Sequence, residues 1–171
     1  MGRGATKAAG NVWFEARIAA AKYNDRLSSR AGAAELLNLS EDAVKSAELG
    51  LYKCMPVDNA VLMADLYNAP ELLYHYCLNE CPIGRNRPIS AEVVSIDRAT
   101  IKLLNRLQDE VLSDLRDKLL EISEDGVISE DELPTLREIV DGLDGISRVA
   151  SELKILGLKA LKGGGDGGPS E

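Results

Sequence analysis

Aromatic side chains are scarce in this sequence: one Trp, one Phe and five Tyr make up 4% of its 171 residues. The apolar fraction of 45% rests instead on Ala and Leu set among Glu and Lys, residues that lose little side-chain freedom on a helix. An all-α fold is therefore expected rather than a sheet protein. The one histidine, His75, has no serine or cysteine nucleophile placed with a carboxylate, and the glycine run at 163–168 leads into no helix that would cradle a phosphate. Those gaps weigh against catalysis, and neither enzyme activity nor a metal or cofactor is expected. Three cysteines, an odd number in a chain this long, do not make the disulfide framework of a small secreted protein. No apolar run approaches the roughly 18 residues of a membrane-spanning helix and no signal-peptide core is visible, so a soluble, cytoplasmic protein without a membrane partner is expected.

Acid outweighs base, giving a formal net charge of −8. The imbalance is uneven: residues 1–30 carry six basic and two acidic side chains, a local excess of +4, and the rest of the chain sums to −12. Only the N-terminal end attracts a polyanion. An acidic protein can still bind nucleic acid at one site, because salt screens charges more than about 10 Å away.

The start (1–10) and the end (163–171) are Gly-rich and read as flexible. Between them, apolar spacing predicts helices at 11–23, 29–37, 41–49, 57–67 and 70–78, making one domain over 11–80. A linker follows at 81–92, marked by Pro82, Gly84 and Pro88. Two long helices, 93–122 and 130–160, then form a C-terminal hairpin over 93–162. Ser40 suits an N-cap, Pro70 a first helical turn, and Ser129 with Glu132 a capping box. Asn38, tolerant of a left-handed backbone, sits at a helix end.

The stretch "AAELLNLSEDAVKSAELG", residues 33–50, carries the rhythm of two short helices around a tight turn. Ala33 and Ala34 are small where helices would cross closely, Leu37 and Leu39 bracket the turn, and Val44 and Ala47 face inward. Glu48 and Gly50 form an E-x-G close, and Pro56 follows. This pattern, over residues 12–75, resembles the helix-turn-helix of lambda repressor and Cro, the Xre family of bacterial, phage and mobile-element regulators. The resemblance implies a lambda-repressor-like fold, double-stranded DNA as partner and a homodimeric transcriptional regulator. It places base contacts at Glu41, Asp42, Lys45 and Ser46, and phosphate contacts at Arg26, Ser29 and Arg30. Two of those readers are acids where the family more often has Arg, Gln, Ser or Thr. A carboxylate can accept from the cytosine N4 amino group, whereas acids in the first turn of a helix also suit its dipole with no DNA present.

Leu136, Ile139, Leu143, Ile146 and Leu153 recur at heptad spacing and are the expected dimerisation stripe, completing a four-helix bundle from two hairpins, with packing back on the N-terminal domain as the alternative. Residues 109–141 hold twelve acids and three basic residues. That surface leaves a second reading open: an acidic protein-interaction module on a helix-turn-helix scaffold, an adaptor or a phage-type inhibitor similar to the anti-CRISPR proteins. Cys54, Cys77 and Cys81 lack a zinc-knuckle spacing and read as free thiols. Residues 121–132 fit an EF-hand frame at several positions but start with Glu121, and read as a turn between helices.

Overall fold

The computed structural model describes residues 7–124 and 126–163. All regular structure among them is helical: eight α-helices and three short 3-10 turns, with no strand. The described residues divide into two compact units, one of residues up to 85 together with those from 158 on, the other within 86–157. The division at Arg85–Asn86 falls inside the expected linker, but the last turns of the final helix group with the first unit rather than with the hairpin. Side-chain contacts explain this: Lys159 Nζ reaches Glu71 Oε1 at 2.6 Å and Lys162 Nζ reaches Asp65 Oδ1 at 2.5 Å.

The first unit contains α1 (Val12–Ala20), α2 (Arg30–Leu37), α3 (Glu41–Glu48), α4 (Val57–Leu66) and α5 (Glu71–Asn79). Trp13, Leu27, Leu37, Val44, Met55, Met63 and Leu72 form its core, with Ala33, Ala34, Ala47, Ala60 and Ala64 letting backbones approach. The first unit reaches before the expected boundary at residue 11, because Ala8 is buried and its carbonyl accepts from Asn11 N at 3.0 Å. The remaining flexible-terminus assignments, 1–6 and 164–171, lie outside the described residues.

Gly32 permits a close crossing. A Cβ there would collide with the backbone carbonyl of Arg26, in the 3-10 turn Asp25–Ser28 that packs under α2. Gly32→Ala should therefore destabilise the protein by about 1–3 kcal/mol despite alanine's better helix propensity. A urea midpoint equal to or above wild type would contradict that packing.

The second unit contains α6 (Ile96–Arg106), α7 (Asp109–Ile122) and most of α8 (Leu133–Gly163). The single helix expected at 93–122 is thus two. Leu107 leaves helical geometry and Gln108 is extended, and α7 restarts with Asp109 and Glu110 where the dipole favours acids. Before α8, Ser129 N donates to Glu132 Oε2 at 2.8 Å within a capping box. Lys102 bridges Glu92 and Glu152 at 3.1 and 2.7 Å. Ile139 is only 2% exposed and belongs to the chain's own buried core. Leu143 is exposed, and Leu136, Ile146 and Leu153 are half-buried. No helix among the described residues is long and apolar enough to cross a membrane.

Candidate nucleic-acid interface

The connection between α2 and α3 is built from local hydrogen bonds. Ser29 Oγ caps α2 by accepting from Gly32 N at 3.0 Å. Asn38 ends α2 in the left-handed region at φ 53°, and Ser40 Oγ opens α3 by accepting from Ala43 N at 3.1 Å. Gly50, at φ 63°, closes α3 where a side chain would be strained. Neighbouring elements then fix the helix at both ends. Asn11 Nδ2 donates to Ala47 O at 3.1 Å, and Tyr52 Oη donates to Ala43 O at 3.3 Å.

Behind α3 lies a charged cluster. Arg17 and Glu48 are 3% and 1% exposed, and Arg17 grips the carboxylate with two nitrogens, Nε to Oε1 at 2.5 Å and Nη2 to Oε2 at 3.2 Å. Arg17 Nη1 donates to Leu27 O at 2.7 Å. Arg30 Nε reaches Glu48 Oε2 at 2.7 Å from the half-buried rim. The carboxylate therefore ties α1, the start of α2 and the end of α3, and Arg17 extends the cluster to the turn before α2. The Arg17 guanidinium also lies 5.5 Å from the Phe14 ring centroid. Burial together with Glu48 raises the pKa of the neighbouring Tyr67 hydroxyl.

The expected base readers lie on or beside the outward edge of α3. Glu41, Asp42 and Lys45 are exposed, and Ser46 is half-buried. Lys45 Nζ stands 3.8 Å from Asp42 Oδ1, a loose pair of two exposed groups. The expected phosphate anchors are less available. Arg26 pairs with Glu35 at 2.7 Å on the surface. Arg30 spends Nε on Glu48, and its other donors have no ion-pair or hydrogen-bond partner among the described residues. Ser29 Oγ serves as the cap of α2. A cleft of about 460 Å³ brings Lys7, Ser28 and Arg30 beside Glu41.

Sequence reasoning did not reach the place of Arg17 in the buried cluster or of Lys7 beside the cleft. Nothing in the sequence sets Arg17 apart from the other basic residues near it, and its partner is 31 residues away. The E-x-G close drew attention to Glu48 without indicating what it binds. Lys7 fell inside the segment read as flexible.

The remaining reactive groups do not form a centre. Cys54, Cys77 and Cys81 are free thiols, and no three His, Cys, Asp or Glu side chains among the described residues are arranged to hold a metal. Glu132, the last position of the EF-hand-like frame, accepts from Ser129. His75 packs edge-on against Trp13 with centroids 6.4 Å apart, and burial lowers its pKa from the ordinary 6.5. Asn79 Nδ2, which can only donate, sits 3.2 Å from His75 Nδ1 and so favours the neutral ring. The unfolded chain takes up this proton more readily. Stability should thus be full above pH 6.5 and fall as pH drops through 6.5 toward the lower folded value. His75→Gln should flatten that decline in urea titrations; an unchanged slope would remove His75 as its source.

The chain matches no known family model, no curated protein and no solved structure. What this surface can do follows from its own geometry.

Proposed function

We propose that the chain is a sequence-specific DNA-binding transcriptional regulator of the Xre, lambda-repressor-like kind, acting in the cytoplasm as a homodimer. The observation that carries this reading is the pairing of an exposed, polar α3 edge with a buried Arg17–Glu48–Arg30 cluster that fixes the helix from behind. A helix that reads base edges must be held rigidly, because hydrogen-bond discrimination depends on placement. In this reading Lys45 contacts a guanine, Glu41 or Asp42 accepts from a cytosine amino group, and Ser46 lies close to the same edges. The open donors of Arg30, together with Lys7, take phosphates. Arg26 can exchange Glu35 for a phosphate at little expense, since an exposed ion pair contributes about 0–1 kcal/mol.

Dimerisation supplies what a mixed-charge reader lacks. Exposed Leu104, Leu112, Leu119 and Leu143 leave apolar surface on the second unit. A two-fold pair would present two α3 helices to half-sites about 34 Å apart. Linkage of two modest contacts can raise avidity by roughly 10²–10⁴.

Selection from a randomised duplex library by the full chain at low salt tests the reading. A palindromic sequence should be enriched, and its affinity should fall log-linearly with salt. Enrichment of nothing would end it.

One observation favours a second reading, an acidic surface that docks on a basic protein. Ten of the acids in residues 109–141 are exposed on α7, α8 and the segment between them. Their hold on the one lysine among them is strong: Asp114 and Glu138 hydrogen-bond to Lys118 and raise its pKa. Co-purification with a basic protein partner, combined with failure of the duplex selection, would support this alternative.

A further inference from the structure

Residues 86–157, the second unit, carry sixteen acidic and nine basic side chains, so a basic group there has acids within easy reach. Arg106 and Arg148 nevertheless have no ion-pair or hydrogen-bond partner among the described residues. Asp144 and Glu152 stand one helical turn to either side of Arg148 on α8, yet it pairs with neither, and Glu152 takes Lys102 at 2.7 Å instead. Both arginines line one cavity of about 520 Å³ formed by α6, α7 and α8, and no carboxylate among the described residues lines it. We propose that this cavity binds a small phosphate monoester, its dianionic head on the two guanidinium groups.

The cations select the head. Each guanidinium presents a planar fork of N–H donors that fits the paired oxygens of a phosphate. Two uncompensated positive charges match a monoester, which carries a charge of about −2 above its second ionisation near pH 6, better than they match a single carboxylate. Lys102 lines the cavity as well, but Glu92 and Glu152 hold it at 3.1 and 2.7 Å, so it adds little net charge. Asn105 supplies a neutral donor: its Oδ1 accepts from Gln108 Nε2 at 3.5 Å, and its Nδ2 has no partner among the described residues.

The backbone of α8 makes room for one of the arginines. A Cβ at Gly145 would stand 2.9 Å from Arg106 Cζ and 3.0 Å from Nη1, so the guanidinium lies against the helix where residue 145 has no side chain. Glycine inside a helix is less stable than alanine, and the seat it gives Arg106 accounts for it here. Val111 and the buried Val149 line the same space and receive the organic part of the ligand. The cavity lies within the second unit, and binding does not require that α3 read DNA.

Titration calorimetry of the full chain with phenyl phosphate, at about pH 7.5 and roughly 0.1 M salt, tests the site. Phenyl phosphate should bind saturably with a Kd of about 1 mM or tighter, and singly charged benzoate and uncharged benzyl alcohol at least roughly tenfold more weakly. Arg106→Gln and Arg148→Gln should each weaken phenyl phosphate about tenfold or more, in protein whose circular dichroism is that of wild type. Arg137→Gln removes the same charge from an exposed residue of α8 that does not line the cavity, about 16 Å along the helix from Arg148 and beyond the screening length. It should leave the affinity unchanged. Gly145→Ala keeps every charge and displaces only the end of a flexible side chain. Its urea midpoint should stay at or above that of wild type while the affinity falls at least roughly threefold. No saturable heat, benzoate bound as tightly as phenyl phosphate, equal weakening by Arg137→Gln and Arg106→Gln, or unchanged affinity in both Arg106→Gln and Gly145→Ala would overturn the proposal.

Discussion

Glu48→Ala is expected to lower folding stability by about 3–5 kcal/mol, the usual result of removing one partner from a buried ion pair. The carboxylate is 1% exposed and takes three guanidinium contacts. Its loss strands the Arg17 charge at 3% exposure with only the Leu27 carbonyl and the Phe14 ring as partners among the described residues. Arg30→Ala should cost much less, because Arg30 keeps 29% exposure and Glu48 retains its two-nitrogen grip from Arg17. The double replacement Arg17→Met with Glu48→Leu should recover most of the loss. Swapping a whole buried pair for apolar groups of similar volume is often neutral, so the cluster positions helices more than it stabilises the fold. Urea denaturation of the four proteins measures these differences. A Glu48→Ala loss below about 1 kcal/mol would mean that the cluster is not the clamp described here.

Lys45→Glu is expected to weaken binding to the selected duplex by roughly a hundredfold or more. A lost base contact is worth about 1–3 kcal/mol, and the reversal leaves the α3 edge with three acids, Glu41, Asp42 and Glu at 45, facing phosphate. Stability should change by no more than about 0.5 kcal/mol, because the side chain is exposed. Asp42→Asn separates two roles for the acid. If the carboxylate only repels phosphate, the substitution should strengthen binding to every duplex. If it accepts from a cytosine amino group, binding to the selected site should weaken while random duplexes bind more tightly. Fluorescence anisotropy with selected and scrambled duplexes distinguishes these outcomes. Equal affinity of wild type and Lys45→Glu would remove α3 from the interface.

The helical class was legible because composition and spacing agree. Helix limits in the first half were legible from caps that act within three residues: Asn38, Ser40 and Gly50 each close or open a helix where its chemistry requires. The break at Leu107–Gln108 was not legible. No Gly or Pro marks it, and the apolar spacing of α6 and α7 runs through it. The place of Arg17 was not legible for a related reason. A basic residue among Arg26 and Arg30 looks solvated, and only tertiary packing brings it to Glu48. Ile139 shows the limit of heptad reasoning, since a stripe that could serve a dimer can also be consumed within one chain. The residues of the α3 edge were read from a pattern, and their exposure came only from the structure.

The central claim is that α3, clamped by Arg17, Glu48 and Arg30, is the surface that meets DNA. Amide chemical shifts of the labelled full chain, followed during titration with the selected duplex, address it most directly. The account predicts saturable shifts concentrated on Glu41–Gly50 and the start of α2 around Ser29–Ala31, with α7 unmoved. Shifts confined to the acidic α7 and α8 surface, or none at all, would contradict it.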